Sequence, residues 1–268
     1  MTSVFRARGV SVSFGGVRAV AGVDLELEAG ELVGLIGPNG AGKTTFIDAI
    51  TGFVKSEGTV ELGDDPLNGL PPHVRAQRGL ARTWQTVELF DDLTVRENLT
   101  VAAKGGRPGG PDRKRRGRHR PTRASVSPGA APPRPSGVSV DEELKMLDLI
   151  HAAESMPSEL TQAERKRAGI GRALVAKPRL LCLDEPAAGL DVRQSKEFGA
   201  LLPGIARTGT AVLLVDHDMG LVLSVCDRVV VLESGAVIAQ GTPAEIRGDE
   251  RVVAAYLGHA SAGTTGAA

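Results

Sequence analysis

LVGLIGPNGAGKTTFIDAITG, residues 32–52, joins an apolar run, a glycine-rich loop and a helical stretch in that order. The run at 32–37 is apolar almost throughout, which is typical of a strand covered on both faces of a parallel sheet. The loop at 37–45 matches the pattern GxxxxGK[ST], and a helix is predicted directly after it. The stretch therefore predicts a strand, a tight loop and a helix within an α/β fold.

The loop has the residues that phosphate binding requires. Its glycines allow backbone N–H groups and the helix N-terminus to face an anion. Lys43 is expected to reach the β and γ phosphates of ATP, and the Thr44 hydroxyl to bind Mg²⁺. A glycine-rich turn with a stray lysine is the alternative, against which the flanking strand and helix argue. The predicted cofactor-binding residues of the loop are Gly37, Pro38, Asn39, Gly40, Ala41, Gly42, Lys43, Thr44 and Thr45.

Two further apolar runs, RLLCLD at 179–184 and AVLLVD at 211–216, predict more strands of the same parallel sheet. The first ends in an acidic pair, Asp184 and Glu185, at the edge of the sheet where α/β proteins bind ligands. Asp184 is expected to hold Mg²⁺ directly or through water, and Glu185 to polarise the attacking water. Such a pair alone is more often a helix start, because carboxylates favour helix N-termini. The glycine-rich loop in the same chain favours the catalytic interpretation.

The rest of the chain is consistent with one large folded domain over residues 1–258. Apolar residues make up 41% and charged residues 24% of the 268, which excludes overall disorder. VDLELE at 23–28 alternates apolar and charged residues and predicts an antiparallel strand. Helices are predicted at 94–103, opened by a capping box of Thr94 and Glu97, and at 141–150. Cys182 and Cys226 lie in apolar runs, so both are expected to be buried free thiols without a functional role.

Two segments are predicted to lie outside the folded part. Residues 104–139 carry ten of the 32 Lys and Arg residues but one of the 32 Asp and Glu residues, and they are rich in Gly and Pro. We interpret them as a flexible linker inserted in the domain. Contact with an anionic membrane surface is the next alternative, and nucleic-acid binding is not expected because no aromatic residues are interleaved with the charges. Residues 259–268 are predicted to form a disordered tail.

With His217 after the third apolar run, Gln85 in TWQTVELF and AAGLD at 187–191, the motifs follow the order found in the ATPases of ABC transporters. The chain resembles that family over essentially residues 4–258. The resemblance implies a P-loop NTPase core with a parallel sheet, an antiparallel β-subdomain and a helical subdomain that carries the family signature. It also implies a dimer of ATPase subunits that closes over two Mg·ATP and drives membrane permeases.

The resemblance assigns further roles residue by residue. Gln85 would bind Mg²⁺, sense the attacking water and relay movement to a membrane partner, and His217 would contact the γ-phosphate. Asp191 would reach across the dimer interface. Phe14 would stack on the adenine ring, although a phenylalanine in a core or a turn is the plainer alternative.

Within the family, the chain looks most like the ATPases of branched-chain amino-acid importers. The stretches that carry this likeness are ARTWQTVELFDDLTVRENL, EPAAGLD, DHDM and the ending GTPAEIRGDERVVAAYLG. Urea importers and the lipopolysaccharide-export ATPase have similar motif sets. The likeness implies permease subunits and an extracytoplasmic solute-binding protein as partners, and a peripheral location on the cytoplasmic face of the membrane. No run long enough to span a membrane and no signal peptide is predicted.

The signature LSGGQ of the family is altered in this chain to LTQAE at 160–164. Thr161 keeps a hydroxyl, but Ala163 replaces a glycine that approaches the γ-phosphate closely. Its Cβ is expected to crowd that approach or to restrict the backbone angles. Because the signature serves the nucleotide of the other subunit, we expect two unequal ATP sites in a heterodimer. A regulatory subunit with little hydrolysis and a soluble clamp protein without a permease are the competing hypotheses.

Overall fold

The computed structural model describes residues 3–84, 88–105 and 139–262, and its centre is a six-stranded sheet. The strand order is β10-β9-β3-β8-β7-β6, and the four neighbouring pairs from β9 to β6 are parallel. All five residues of each of the three strands predicted from apolar runs are buried. The strands are β3 (Leu32–Ile36), β6 (Leu80–Arg82), β7 (Leu180–Asp184), β8 (Ala211–Val215), β9 (Arg228–Glu233) and β10 (Ala236–Gly241).

A second, antiparallel sheet has the strand order β2-β1-β4-β5. Burial alternates along β2 as predicted, with Val23, Leu25 and Leu27 buried and the acidic residues between them partly or fully exposed. This confirms the antiparallel β-subdomain. The strands are β1 (Ser3–Phe14), β2 (Val17–Glu28), β4 (Glu57–Leu62) and β5 (Asp65–Pro66).

The helices lie in chain order around and between the strands. The capping box of Thr94 and Glu97 is present, since each residue's backbone N–H donates to the other's side chain. The helix predicted at 141–150 ends at Met146, and a 3₁₀ turn follows at Ile150–Ala152. The helices are α1 (Lys43–Thr51), α2 (Pro72–Gln77), α3 (Val95–Gly105), α4 (Val140–Met146), α5 (Gln162–Leu174), α6 (Val192–Gly199), α7 (Leu202–Arg207), α8 (Met219–Val225), α9 (Pro243–Gly248) and α10 (Glu250–Ala262).

The six-stranded sheet separates two apolar cores. Alternate residues of β7 point to opposite faces, so Leu180 and Cys182 pack with the antiparallel sheet and α1. Leu181 and Leu183 pack with the helical part of the chain, which includes α3, α4 and α5. Each buried strand therefore contributes to both cores, and its carboxyl end lies between them.

Helices extend into both of the low-complexity segments that were predicted to lie outside the folded part. Helix α3 continues through Gly105, so the first two residues of the predicted insertion 104–139 are helical. Residues 106–138 lie outside the described part of the chain. Helix α10 continues to Ala262, so the predicted disorder is wrong for residues 259–262, and residues 263–268 lie outside the described part.

Two other expectations are testable on the described residues. Both cysteines are buried and free, as predicted. No described helix combines the length and the apolar composition needed to cross a bilayer.

Candidate nucleotide-binding and catalytic site

The glycine-rich loop lies between β3 and α1, as the sequence predicts. A Cβ at Gly37 would overlap the carbonyl oxygen of Leu232, and one at Gly42 would overlap that of Ala19. Gly42 also has φ of 98°, in the left-handed region that favours glycine. Both positions therefore require glycine because a side chain would not fit. Gly42 requires it also because of its backbone conformation.

The loop is also held by the turn between β9 and β10, which is itself bonded to β2. The Gly235 N–H donates to the carbonyl oxygen of Ala41 at 3.0 Å, and the Ala21 N–H donates to that of Gly235 at 2.8 Å. Gly235 is in the turn between β9 and β10, and Ala21 is in β2. The shape of the loop thus depends on both sheets.

Helix α1 presents its N-terminus without a side-chain cap. Gly42 is the N-cap residue, no side chain accepts from the first turn, and that turn contains no acidic residue. The first N–H groups of a helix have no partner within the helix, and the helix dipole makes this end favourable for an anion. The loop and the helix together can therefore bind phosphate.

Lys43, the first residue of α1, is 7% exposed and lies inside the curve of the loop. Its Nζ donates to the carbonyl oxygens of Gly37 at 2.7 Å and Pro38 at 3.0 Å. Burial lowers the pKa of Lys43, while the charges of nearby carboxylates oppose this shift, Glu185 most strongly. The ammonium group is thus within electrostatic reach of the acidic pair that the sequence places in the site.

Glu185 follows directly after β7, and its backbone has φ of 45°, which is uncommon for a residue other than glycine. Its N–H donates to the Val215 carbonyl oxygen at 2.7 Å, which ties the end of β7 to the end of β8. Its carboxylate Oε1 lies 3.9 Å from Nδ1 of His217. The structure therefore brings together two of the three predicted catalytic residues. Gln85, the third, lies outside the described residues.

Asp216 is a site residue that the sequence analysis missed. It is 1% exposed, and its Oδ1 accepts from the Asp218 N–H at 3.0 Å and lies 3.6 Å from Nδ1 of His217. Its Oδ2 is buried without a hydrogen-bond partner among the described residues. An acidic residue at the end of the third apolar run is the same signal that identified Asp184, so the sequence could have indicated it.

Arg82 is a second residue that the sequence analysis missed. At the end of β6, its side chain is 5% exposed and donates to Asp184 Oδ2 at 2.8 Å and to Asp48 Oδ1 at 2.5 Å. Asp184, the predicted metal ligand, is therefore paired with a guanidinium group. No motif indicates this pair, because its members are 102 residues apart.

The predicted metal ligands offer oxygen atoms, which suit Mg²⁺. Asp184 is 7% exposed at the carboxyl end of β7, and Thr44 is exposed in the first turn of α1. No group of three or more His, Cys, Asp and Glu side chains among the described residues could hold a metal by itself. Mg²⁺ keeps several waters and is bound by one or two protein groups together with substrate phosphates.

The altered signature begins helix α5. Thr161 is its N-cap, and Thr161 and Glu164 form a capping box in which the Thr161 N–H donates to Glu164 Oε2 at 2.8 Å. The Thr161 hydroxyl and His151 lower the pKa of Glu164 to about 2. Ala163 lies in the first turn of the helix and is not among the non-glycine residues with positive φ. The two expected effects of its Cβ, crowding of the phosphate and restriction of the backbone angles, stay predictions.

Asp191 and Phe14 occupy exposed ends of their elements. Asp191 is the N-cap of α6 and accepts from the Gln194 N–H at 2.8 Å. Its segment touches the signature, since a Cβ at Gly189 would lie 2.6 Å from Nε2 of Gln162. Phe14, the last residue of β1, is 51% exposed, so its ring is accessible to a ligand.

Comparison with known proteins identifies the class to which this fold and site belong. Residues 20–188 match the family described as ABC transporter, and residues 236–262 match the one described as branched-chain amino acid ATP-binding cassette transporter. The chain therefore belongs to the ABC transporter family and is an ATP-binding subunit, an ATPase coupled to transport.

The curated relatives place the chain more narrowly. It is 39% identical over 261 residues to the high-affinity branched-chain amino acid transport ATP-binding protein LivG of Salmonella typhimurium, covering 94% of this chain and 96% of LivG. It is 36% identical to BraF of Pseudomonas aeruginosa, which has the same description, over 96% of this chain and 98% of BraF. The lipopolysaccharide export system ATP-binding protein LptB of Escherichia coli is 34% identical over 94% of this chain and 96% of LptB.

A solved structure has the same fold. The ADP conformation of MJ1267, an ATP-binding cassette of an ABC transporter, superposes with a TM-score of 0.79 at 27% identity, covering 96% of this chain and all of that one. The predicted fold class is thereby confirmed.

Proposed function

We propose that this subunit binds Mg·ATP at the loop 37–45, hydrolyses it with Glu185 as general base, and energises the uptake of branched-chain amino acids. The observation that carries the proposal is the convergence of Lys43, Asp184 and Glu185 at the carboxyl ends of β3 and β7. The match of residues 236–262 to the branched-chain group, with the LivG and BraF likeness, supports the cargo.

In this proposal, the phosphates are bound by the backbone N–H groups of the loop and by Lys43, and the adenine ring stacks on Phe14. Thr44, Asp184 and Gln85 would hold Mg²⁺, which would supply positive charge to stabilise the phosphates during hydrolysis. Lys43 exchanges its two loop carbonyl acceptors for phosphate oxygens.

Glu185 orients the water that attacks the γ-phosphate and takes its proton. The 3.9 Å separation of its Oε1 from His217 Nδ1 supports a joint role of these side chains at the γ-phosphate. His217 is half-exposed and can contact a phosphate oxygen, whereas buried Asp216 limits the positions of the imidazole. The strained φ of Glu185 is the kind of backbone outlier that clusters at functional sites.

We further propose that the active form is a dimer with a homologous ATPase subunit, a heterodimer in this case. Thr161, Ala163 and Asp191 of this chain would face the nucleotide bound by the partner. The contact between Gln162 and Gly189 supports a common surface formed by the signature and the 187–191 segment. The substitution of glycine by Ala163 would then affect the partner's site and leave the site at Lys43 intact.

The permease subunits are proposed to dock on the surface around residues 85–101, which places the protein at the cytoplasmic face of the membrane. Three aromatic side chains near this segment, Phe53, Trp84 and Phe90, are between 46% and 52% exposed. Exposed aromatic residues of this kind mark protein–protein contacts. A solute-binding protein would deliver the amino acid on the other side of the membrane.

The test is ATP turnover and amino-acid uptake by the assembled complex in proteoliposomes. In a complex whose partner site is inactivated, Glu185→Gln in this chain should still bind ATP but lose about 10²–10⁴-fold in turnover, and the uptake of leucine, isoleucine and valine should fall with it. Lys43→Ala is the matched control, because it should lose binding itself. Normal hydrolysis by the Glu185→Gln protein would contradict the role of the general base.

Lipopolysaccharide export is the second candidate, favoured by the 34% identity to LptB. Purification of the native complex separates the two functions. Polytopic permeases together with uptake of branched-chain amino acids support the importer. Copurified lipopolysaccharide without such uptake would favour export.

A further inference from the structure

Arg82 occupies a buried position between two carboxylates. One terminal nitrogen of its guanidinium donates to Asp184 Oδ2 at 2.8 Å and the other to Asp48 Oδ1 at 2.5 Å. The Asp184 side chain is 10% exposed and that of Asp48 is 26% exposed, so Arg82 and Asp184 are largely shielded from solvent and Asp48 is partly exposed. Buried charge pairs of this kind hold their members in a fixed geometry.

The guanidinium of Arg82 also lies close to two aromatic rings. Its central carbon lies 4.2 Å from the ring centre of Trp84 and 5.9 Å from that of Phe53. The rings contact each other edge to face at 4.9 Å, and each residue is about half exposed. A single side chain therefore touches both Asp184 and this aromatic pair, Phe53 and Trp84.

The bridge depends on the shape of arginine. Its planar fork can donate to two carboxylates while its face stacks on a ring, whereas the compact ammonium group of lysine cannot do both. The bond to Oδ2 also restricts the rotation of the Asp184 carboxylate and leaves Oδ1 for a metal ion or its water. Partners that orient a metal-binding carboxylate typically contribute 10–100-fold to metal affinity.

We propose that Arg82 is a positioning residue, which orients Asp184 for Mg²⁺ and mechanically connects this carboxylate to the exposed aromatic pair Phe53 and Trp84. A movement of either end is then transmitted to the other through one guanidinium group. The proposal rests on the proposed function in one respect, the assignment of Asp184 as a Mg²⁺ ligand.

The test uses the full chain and two readouts that do not need turnover. The first is the Mg²⁺ concentration that half-maximally tightens the binding of a fluorescent ADP. The second is the emission of Trp84, the one tryptophan in the sequence, as Mg²⁺ is added to the ADP complex. Arg82→Gln should raise the required Mg²⁺ concentration at least tenfold and abolish the emission change. Binding of the nucleotide in EDTA should not change, because the phosphate loop is untouched.

Two further variants keep the result interpretable. Arg82→Lys retains the charge but not the bridge, so it should also need more Mg²⁺ and give a smaller emission change, even if Arg82→Gln fails to fold. Arg179→Gln is the matched control, because Arg179 also pairs with a carboxylate, Asp65 at 3.3 Å, but contacts neither Asp184 nor the aromatic pair. It should behave as the wild type.

The outcomes separate this proposal from the proposed function. If wild-type protein binds ADP no better with Mg²⁺ than in EDTA, the assignment of Asp184 fails and this inference fails with it. If Mg²⁺ tightens binding equally in the wild type and in folded Arg82→Gln or Arg82→Lys variants, Arg82 does not position the carboxylate, and the proposed function stands. A wild-type Trp84 emission that ignores Mg²⁺ would overturn the connection to the aromatic pair.

Discussion

Replacing Ala163 by glycine tests whether the altered signature weakens the partner's ATP site. Ala163 lies in the first turn of α5 and is 9% exposed. The Ala163→Gly change removes its buried methyl group, which costs about 0.8 kcal/mol, and adds the conformational entropy of a helical glycine, about 0.5–1 kcal/mol. The subunit should thus lose about 1–2 kcal/mol of unfolding free energy, or roughly 3–6 °C in melting temperature.

The same change should make the partner's site faster. A Cβ that crowds a closely packed contact costs about 1–3 kcal/mol, and relief of even 1 kcal/mol would raise turnover roughly fivefold. The assay is ATP turnover by the assembled complex with Glu185→Gln in this chain, so that the remaining activity comes from the site that Ala163 is proposed to face. The melting temperature of the isolated subunit is measured alongside.

Ala168→Gly is the control for this experiment. Ala168 is fully buried in the same helix, so its replacement should destabilise α5 at least as much without touching the signature. If both variants lose stability and neither changes turnover, Ala163 does not crowd the phosphate, and the proposal of unequal sites loses its physical basis.

Three further predictions concern the loop, the capping box and the thiols. Gly42→Ala should weaken nucleotide binding at least tenfold, because the added Cβ would overlap the Ala19 carbonyl oxygen. Gly40→Ala is the control and should weaken binding less, because the space around Gly40 is open. Equal losses of affinity in equilibrium binding measurements would contradict the steric explanation. Glu164→Gln should lower the unfolding free energy at pH 7 by about 1 kcal/mol. Because the folded-state pKa of Glu164 is about 2, below its ordinary value of 4.5, this difference should shrink as pH falls from 4.5 towards 2, and a constant difference in denaturant titrations would refute the assignment. Burial raises the pKa of Cys182 and of Cys226 to about 12. Neither thiol should therefore react with a thiol reagent at pH 8 until the protein is unfolded. Rapid labelling of the native protein would show that one of the thiols is accessible.

The sequence predicted features that are local or that follow from parallel-sheet topology. The strand, loop and helix around Lys43 are contiguous, so their pattern can be recognised directly. Glu185 and His217 come together because each follows a buried strand, and the carboxyl ends of neighbouring parallel strands meet at one edge.

The features that the sequence did not predict depend on packing between distant segments. Arg82 meets Asp184 because β6 pairs with β7, and no spacing in the chain encodes that pairing. The regular helix at Ala163 was not predicted either, although the capping box of Thr161 and Glu164 that opens α5 is a local signal for it. The helical residues 259–262 were missed because small residues gave them a low-complexity composition.

The contact between Ala41 and Gly235 has a consequence for how the subunit matures. The phosphate loop is encoded near the start of the chain, yet one of the hydrogen bonds that hold it comes from a turn close to the other end. During synthesis the loop can therefore reach its final shape only after Gly235 has been made. A nascent chain that stops before this turn would contain every residue of the loop but lack the hydrogen bond that supports it. Binding of ATP is therefore expected to stabilise only a nearly complete subunit.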